Sequence, residues 1–181
     1  PDPVGKGTAD EFFNIDIKDY EKIYSRSRDL GYLYEVKGVF TVGTDFSYIA
    51  AKLSEIMELP GISYSTALKA TVKSEMRKTF REHNVNSPEY FTADSSFNPE
   101  ESDCSLSYPL VVKPVDSMGG RGSVKIESES ELENAVKNAV VYSRSGKAIV
   151  EEYMDGPEFS LDAVIENSRI TVCGIADRHI Y

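Results

Sequence analysis

The feature that most constrains the fold is a regular alternation of short apolar runs with segments of helical periodicity. Apolar runs too short for helices, such as those within residues 109–114 and 147–152, predict buried strands. Between such runs, apolar residues recur every third or fourth position, which is typical of a helix that buries one face. Strands that alternate with helices favour a layered α/β architecture.

The predicted elements can be given in chain order. Strands are predicted at residues 11–17, 38–43, 89–92, 109–114, 123–127, 147–152, 158–165 and 169–176. Helices are predicted at residues 19–30, 47–58, 71–83 and 128–142. We expect Asp45 to cap the second helix, and Ser128 with Glu131 to form a capping box on the last one. Residues 94–107 are polar and predict an exposed loop, and a tight turn at residues 166–168 joins the last two strands.

The composition is that of a globular protein and limits the function classes. Of the 181 residues, 40% are hydrophobic and 28% are charged, with 30 acidic and 20 basic side chains and a net charge of −10. A protein that grips nucleic acid needs a basic face, so nucleic acid is not an expected partner. No apolar run approaches the roughly 20 residues of a membrane helix. Since no stretch resembles a signal peptide, we expect a cytoplasmic protein without a membrane partner.

The cysteines and histidines give no metal or disulfide pattern. Cys104 and Cys173 lack CxxC spacing, and we expect both to be reduced thiols. His83 and His179 are isolated in the sequence, so we expect surface or packing residues.

A glycine-rich loop, Asp116-Ser-Met-Gly-Gly-Arg-Gly-Ser123, lies between two predicted strands. Its three glycines allow backbone amides to face outward, and such loops can wrap phosphate oxygens. Arg121 adds a positive charge, while Ser117 and Ser123 add hydroxyl donors. The loop matches neither the dinucleotide fingerprint nor the P-loop, and by itself it is equally well explained as a mobile hairpin turn.

Lys113 favours the phosphate interpretation. It lies at the end of an otherwise apolar strand, where an ammonium costs desolvation free energy unless an anion meets it. Its place before the glycine-rich loop would put it beside a bound phosphate. The alternative is a strand-end lysine whose ammonium reaches water along its stem.

A third segment, residues 150–158, could bind a nucleoside. A strand that runs into an exposed segment can offer backbone N–H and C=O groups to an adenine edge, with Tyr153 and Met154 beside the ring. Glu158 could accept hydrogen bonds from ribose hydroxyls. On composition alone, a solvated acidic turn is the simpler interpretation.

Taken together, these segments resemble the nucleotide site of the ATP-grasp family. The resemblance lies in the order of three segments, with a helix before the last: Tyr-Pro-Leu-Val-Val-Lys113-Pro, the loop 117–123, and Glu151-Glu-Tyr-Met-Asp-Gly-Pro-Glu158. Upstream, Leu59-Pro-Gly-Ile-Ser and Ala70-Thr-Val-Lys73-Ser-Glu-Met-Arg77 are similar to the start of the family's grasp domain. The most similar members are expected among phosphoribosylglycinamide synthetases, biotin carboxylases and carbamoyl-phosphate synthetase large subunits.

The resemblance implies a fold and a set of site residues. Residues 1–64 would be part of a Rossmann-like pre-ATP-grasp domain, and residues 65–181 an incomplete ATP-grasp α+β domain. Lys73 and Lys113 would contact the ATP phosphates, and Arg121 would join them in stabilising the transferring phosphoryl group. A lid loop over the phosphates would be formed by Ser117, Gly119, Gly120 and Gly122. Glu151 would meet the adenine amino group, and the adenine hinge would be completed by Glu152, Tyr153 and Met154. Glu158 would hold the ribose.

The resemblance also implies an activity. It predicts an ATP-dependent ligase that uses ATP and Mg²⁺ to activate a carboxylate as an acyl phosphate, which an amine or another nucleophile then captures. The expected partners are ATP and small carboxylate and amine substrates, and a homodimer is left open. The magnesium ligands of the family would lie in strands beyond Tyr181, so none is assigned here. Residues 41–45, and with less support Arg178 and His179, are candidates for the acceptor side.

Two alternatives stay open at this point. The chain could be a nucleotide-binding module or subunit without its own catalysis. It could also be an α/β protein that binds no nucleotide, and then Lys113→Met would leave ligand behaviour unchanged and raise stability by removing a buried unpaired charge.

Overall fold

The structure, a computed structural model, describes residues 3–101 and 105–178. The helices are α1 Tyr20–Leu30, α2 Ser47–Ile56, α3 Tyr64–Thr71, α4 Lys73–Glu82 and α5 Glu129–Tyr142, and 3₁₀ turns lie at Val4–Thr8 and Pro99–Glu101. The strands are β1 Tyr90–Asp94, β2 Leu110–Pro114, β3 Val124–Ile126, β4 Lys147–Glu152, β5 Glu158–Glu166 and β6 Arg169–Arg178. The predictions made for Cys104 and His179 lie outside the described residues, as does Tyr181.

A four-stranded antiparallel sheet with the order β1-β4-β2-β3 is the centre of the C-terminal part. Successive side chains of a strand point to opposite faces, so each strand contributes to two different environments. One face packs against α5 and forms the core, whose members are Ala93, Leu110, Val112, Ile126, Leu132, Ala135, Val136, Ala139, Ala148 and Val150. These apolar side chains explain why the runs predicted as strands pair here.

The other face of the sheet carries the polar residues. Lys113 pairs with Ile149 and Val111 pairs with Glu151 across β2 and β4, so Lys113 and Glu151 are diagonal neighbours on this face. Because the side chains of β2 alternate strictly, this strand contributes to both faces of the sheet. Leu110 and Val112 build the core, while Lys113 faces the opposite side.

The helix predicted at residues 71–83 is confirmed as α4, and a further helix that was not predicted, α3, precedes it. Ser63 caps α3 by accepting a hydrogen bond from the N–H of Thr66 at 3.1 Å. Val72 is extended, with φ −86° and ψ 115°, and it separates α3 from α4. The break gives Lys73 the first position of α4, where its N–H donates to the Val115 carbonyl at 2.8 Å instead of to its own helix.

The first 64 residues differ most from the prediction. The strands predicted at residues 11–17 and 38–43 are absent, and Phe40 and Val42 are each 84% exposed. A strand needs a neighbour for its backbone hydrogen bonds, and neither run finds one. The Rossmann-like assignment is therefore not confirmed. The proposed boundary between residues 64 and 65, which falls at the start of α3, stays a prediction.

Several other predictions can be compared directly with the structure. α1, α2, α5 and all six strands from residue 89 onward lie within a few residues of their predicted positions. Asp45 does not cap α2, because Phe46 holds the cap position and the Asp45 carboxylate pairs with arginines. At α5 the Ser128 side chain makes no cap bond to the backbone. The Glu131 carboxylate instead accepts from the Ser128 hydroxyl at 2.9 Å and from the Glu127 N–H at 3.2 Å.

β5 and β6 form a separate two-stranded antiparallel ribbon. Asn167 and Ser168, at φ 48° and 61°, make the tight turn that the sequence predicted. The ladder runs from Glu158 paired with Arg178 to Glu166 paired with Arg169, with an irregularity beside Asp162. Every residue of both strands is exposed.

Candidate functional site

A buried carboxylate, Glu151, lies at the centre of a cluster of cations. Its side chain is 3% exposed, and Arg77 Nε donates to Oε1 at 2.7 Å. Arg77 Nη2 lies 3.4 Å from Oε2, and the Lys113 ammonium pairs with the same oxygen. Both carboxylate oxygens are thus held by cations from two different elements, α4 and β2.

These contacts determine the charge of Glu151. Burial alone raises the pKa of its carboxyl, but the hydrogen bonds and charges of Arg77 and Lys113 outweigh burial, and the net pKa is lowered. Glu151 is therefore an ionised, acceptor-only group near neutral pH.

Lys73 joins this cluster to the glycine-rich loop. Its ammonium donates to the Ser117 carbonyl at 2.5 Å. Burial, followed by the nearby charge of Lys113, lowers the pKa of Lys73. The ammonium of Lys113 therefore lies close enough to repel that of Lys73. An anion would relieve that repulsion.

The base of the glycine-rich loop is anchored by Asp116. Its carboxylate accepts from the Ser143 hydroxyl at 2.9 Å and from the N–H groups of Arg144 and Ser145 at 2.9 and 2.8 Å. Burial raises its pKa, but these hydrogen bonds dominate and lower it overall. The Ser117 hydroxyl donates to the Tyr142 carbonyl. The start of the loop is therefore fixed to the end of α5.

The tip of the loop is open, in contrast to its base. Gly119 and Gly120 have φ of +74° and +71°, and a Cβ on either would meet nothing within 4 Å. Gly122 differs, because a Cβ there would lie 2.7 Å from the Tyr142 ring. The tip can thus approach a ligand, whereas Gly122 is required by packing.

Arg121 pairs with Asp45, which belongs to the N-terminal part of the chain. Its side chain is 66% exposed, and Nη2 lies 3.6 Å from the Asp45 carboxylate. Arg144 Nη1 lies 3.3 Å from the same Asp45 oxygen. The predicted phosphate role of Arg121 would require this side chain to exchange Asp45 for a phosphate.

The segment predicted as the adenine hinge follows β4. The N–H groups of Glu152 and Tyr153 already donate to the carbonyls of Glu89 and Pro109, at 3.1 and 3.0 Å. Tyr153 and Met154 are 40% and 71% exposed, and the Lys125 ammonium lies 4.3 Å from the Tyr153 ring centroid. The predicted side chains are therefore accessible to a ligand, while two of the hinge amides hold the strand ends together.

Glu158 lies outside the cluster around Glu151. It is the first residue of β5 and pairs with Arg178 at the open end of the ribbon. Of the predicted site residues, the structure therefore brings together Lys73, Lys113, Ser117 and Glu151.

Two residues of this site were not predicted from the sequence. Arg77 follows Lys73 by four positions on α4, a spacing that puts both side chains on one face of a helix and could have pointed to it. Asp116 is 9% exposed and was counted only as part of the loop. Nothing local in the sequence distinguishes it, since its partners lie at residues 143–145.

A protein site for the predicted magnesium needs oxygen donors, mainly carboxylates, that converge on one point. Among residues 3–101 and 105–178, no three histidine, cysteine, aspartate or glutamate side chains converge as a metal site. The described residues thus supply a cluster of cations but no magnesium cage. In the same part of the chain, no helix is long and apolar enough to cross a membrane.

Comparison with known proteins identifies the class to which this fold and site belong. Residues 70–181 match the model of the ATP-grasp domain. The chain belongs to the ATP-grasp family, as the order of its lysines, glycine-rich loop and hinge had predicted.

Particular relatives show the resemblance over most of the chain. The carbamoyl phosphate synthase large chain of Thermoanaerobacter sp. (strain X514) is 26% identical over 166 residues, which are 92% of this chain and 15% of that protein. The L-amino acid ligase from Bacillus licheniformis is 26% identical in sequence and superposes with a TM-score of 0.72, over 88% of this chain and 37% of that one. The VanG D-Ala:D-Ser ligase from Enterococcus faecalis is 25% identical with a TM-score of 0.60, over 70% and 38% of the two chains. This chain therefore spans a minor part of each relative.

Proposed function

We propose that this chain binds ATP and forms part of an ATP-dependent ligase that joins a carboxylate to an amine. The observation that carries the proposal is the convergence of Lys73 and Lys113 beside the glycine-rich loop, with the ionised Glu151 behind them. The relatives support it, because those described above are synthases and ligases.

The lysines and the loop would hold the triphosphate. Lys73 already reaches the loop backbone at Ser117, so a phosphate under the loop would lie within reach of its ammonium. The open tip at Gly119 and Gly120 supplies amides that no side chain covers. The exposed Arg121 side chain would break its ion pair with Asp45 and add a third positive charge as the loop closes.

The hinge and the ribbon would hold the nucleoside. The carboxylate of Glu151 can accept a hydrogen bond from the amino group of adenine, which is a donor. With the amides of Glu152 and Tyr153 engaged, the amide of Met154 is the hinge donor that we assign to the ring. Glu158 would accept from the ribose hydroxyls once it exchanges Arg178 for them.

The proposed reaction has two steps. A substrate carboxylate oxygen attacks the γ-phosphorus of ATP, the bond to the β–γ bridging oxygen breaks, and ADP leaves. The nitrogen lone pair of the amine then attacks the acyl carbon, phosphate leaves, and the nitrogen loses a proton. Positioning and positive charge suffice for both steps, so no nucleophile of the protein is required.

A thermal-shift measurement tests the nucleotide site. We expect Mg-ATP and Mg-ADP to raise the melting temperature of the chain and Mg-GTP to raise it less. A ligand at a hundred times its dissociation constant adds about 2.7 kcal/mol to the free energy of unfolding. Lys113→Met should abolish the shift. The matched control is Lys137→Met on the exposed face of α5, where the lysine pairs only with Glu133, and it should retain the shift.

The outcomes separate the competing functions. A shift that survives Lys113→Met contradicts the assigned site. The second test uses the protein expressed from the natural reading frame that contains this chain, with carboxylate and amine substrates. If this protein binds ATP but releases no phosphate, the nucleotide-binding module is favoured instead. No shift in the protein expressed from that reading frame would overturn the nucleotide proposal as a whole.

The structure also changes the stability that is expected for Lys113→Met if the chain is an α/β protein that binds no nucleotide. Lys113 is paired with a buried carboxylate, so its removal leaves Glu151 with one cation fewer. Lys113→Met is therefore expected to lower the free energy of unfolding, and the predicted gain in stability does not follow.

A further inference from the structure

Glu151 and the phosphates of the proposed nucleotide would compete for the ammonium of Lys113. Lys113 pairs with Glu151 in the structure, yet the proposed function turns its ammonium toward phosphate. A carboxylate that is 3% exposed cannot simply exchange a departing cation for water. Something else must keep Glu151 charged and in place when the nucleotide arrives.

Arg77 is placed to do this. Its Nε donates to Glu151 Oε1 at 2.7 Å, on the oxygen that Lys113 does not use, while Nη2 lies 3.4 Å from Oε2. The guanidinium side chain is 19% exposed, so the contact is poorly screened by solvent. Guanidinium groups retain their charge at all physiological pH values, and their planar fork fixes the orientation of a carboxylate.

We propose that Arg77 is a positioning residue that holds Glu151 ionised and oriented toward the 6-position of the base while Lys113 turns to the phosphates, and that it thereby makes the site selective for a 6-amino purine. An ionised carboxylate accepts hydrogen bonds and cannot donate them. It attracts the 6-amino group of adenine and repels the 6-oxo group of hypoxanthine or guanine. This inference rests on the proposed nucleotide function and adds the origin of its base selectivity.

Among the residues that the structure describes, the charged and titratable groups that face Glu151 come from three elements. Arg77 and Lys73 face it from α4, Lys113 faces it from β2, and Tyr90 lies directly across from it on β1. Lys73 is committed to the loop carbonyl of Ser117, and Lys113 is the residue to be shared. That leaves Arg77 as the cation dedicated to Glu151.

The experiment measures dissociation constants of Mg-ATP and Mg-ITP by calorimetry for wild type, Arg77→Met, Arg77→Lys and Arg81→Met. ITP carries a 6-oxo group where ATP carries the 6-amino group. Wild type should prefer ATP by at least about tenfold, the discrimination expected of one charge-assisted hydrogen bond. In Arg77→Met this preference should be much reduced, because no guanidinium fork orients Glu151 toward the base. The dissociation constants for both nucleotides should also rise at least about tenfold, because Lys113 stays with Glu151 and is withheld from the phosphates. Arg77→Lys should restore part of the preference.

Arg81→Met is the matched control. Arg81 lies one turn further along α4 and pairs with Glu89 at 2.8 Å, where both side chains are more than half exposed. It should leave the ratio of the two constants unchanged. Should Arg77→Met fail to fold, as judged by circular dichroism, Arg77→Gln carries the same test, because it removes the charge and keeps a polar side chain of similar reach.

A pH series distinguishes positioning from a general loss of structure. In wild type the preference for ATP should be flat from about pH 8 to about pH 5.5, since Arg77 keeps Glu151 ionised while Lys113 contacts the phosphates. What remains of the preference in Arg77→Met should decline as the pH falls over this range, because the buried carboxyl with one cation takes up a proton more readily.

The results separate the inference from its foundation. If wild type binds neither nucleotide, the proposed function fails and the inference fails with it. If wild type prefers ATP and Arg77→Met keeps the same ratio with a flat pH profile, the inference alone is overturned. An equal loss of preference in Arg81→Met would overturn it as well.

Discussion

The four-stranded sheet and the β5–β6 ribbon have similar strand patterns but opposite surroundings. In the sheet, Leu110, Val112 and Val150 are completely buried beneath α5. In the ribbon, Phe159, Leu161 and Ile165 alternate in the same way, yet they are 62%, 50% and 71% exposed. Alternation therefore decides which residues share a face, whereas burial depends on a partner layer.

The difference has a consequence for the site. An isolated two-stranded ribbon is marginally stable in water, because its backbone pairing is not supported by a buried face. Lys113 and Glu151 lie on the rigid sheet, while Glu158 lies on the ribbon. The strand that carries Lys113 is thus held by the core, and the proposed ribose contact is the part that ligand binding would have to order.

The largest expected difference between the two regions is in apolar packing. Leu132→Ala, in α5 over the sheet, should lower the free energy of unfolding by about 2–5 kcal/mol, because it leaves a cavity in a core position that is 0% exposed. Leu161→Ala, on the ribbon, should change it by less than about 1 kcal/mol. Urea denaturation of both variants measures the contrast, and equal losses would contradict it.

A smaller contrast is expected between the two glutamates that form ion pairs. Glu151→Gln should cost about 1–3 kcal/mol, since Arg77 and Lys113 lose a buried charged partner. Glu158→Gln removes a pair with Arg178 whose side chains are 44% and 57% exposed, so its cost should stay below about 1 kcal/mol. Thermal unfolding at low salt checks this. A cost for Glu158→Gln that equals that of Glu151→Gln would mean that the ribbon is packed after all.

The smallest effect is a pH dependence at the base of the glycine-rich loop. The folded pKa of Asp116 is lowered, so its contribution to stability is present above the unfolded pKa of about 3.9 and is lost as the pH falls through the folded value. Asp116→Asn should therefore cost about 1–2 kcal/mol at pH 7 and progressively less below about pH 4. The control is Asp162→Asn on the exposed ribbon, which should change stability little at either pH. A cost of Asp116→Asn that does not change with pH would contradict the role of its charge.

The C-terminal part of the fold could be predicted well from sequence because its signals are local. Short apolar runs, at residues 110–112 and 148–150, define β2 and β4, and helical spacing defines α5. The same reasoning was wrong for residues 38–43, where an equally apolar run has no strand beside it. It also missed α3, whose Ser63 cap was the available indication.

Part of the candidate site could be predicted and part could not. Lys73, Lys113, Ser117 and Glu151 were predicted individually, and the structure brings them together. Arg77 and Asp116 were not predicted, since their roles depend on partners 74 and 27–29 residues away in the chain. The predicted phosphate, adenine and ribose roles of the individual residues stay predictions.

The sequence by itself determined the order of strands and helices from residue 71 onward, the place of the glycine-rich loop and membership of the ATP-grasp family, because these depend on periodicity and on residue order. Only the tertiary structure decided which runs pair as strands, which apolar faces are covered, and that Arg77 and Lys113 share one carboxylate. The physical reason is that pairing, burial and the charge of a buried group depend on atoms that are distant in sequence and meet only when the chain is folded.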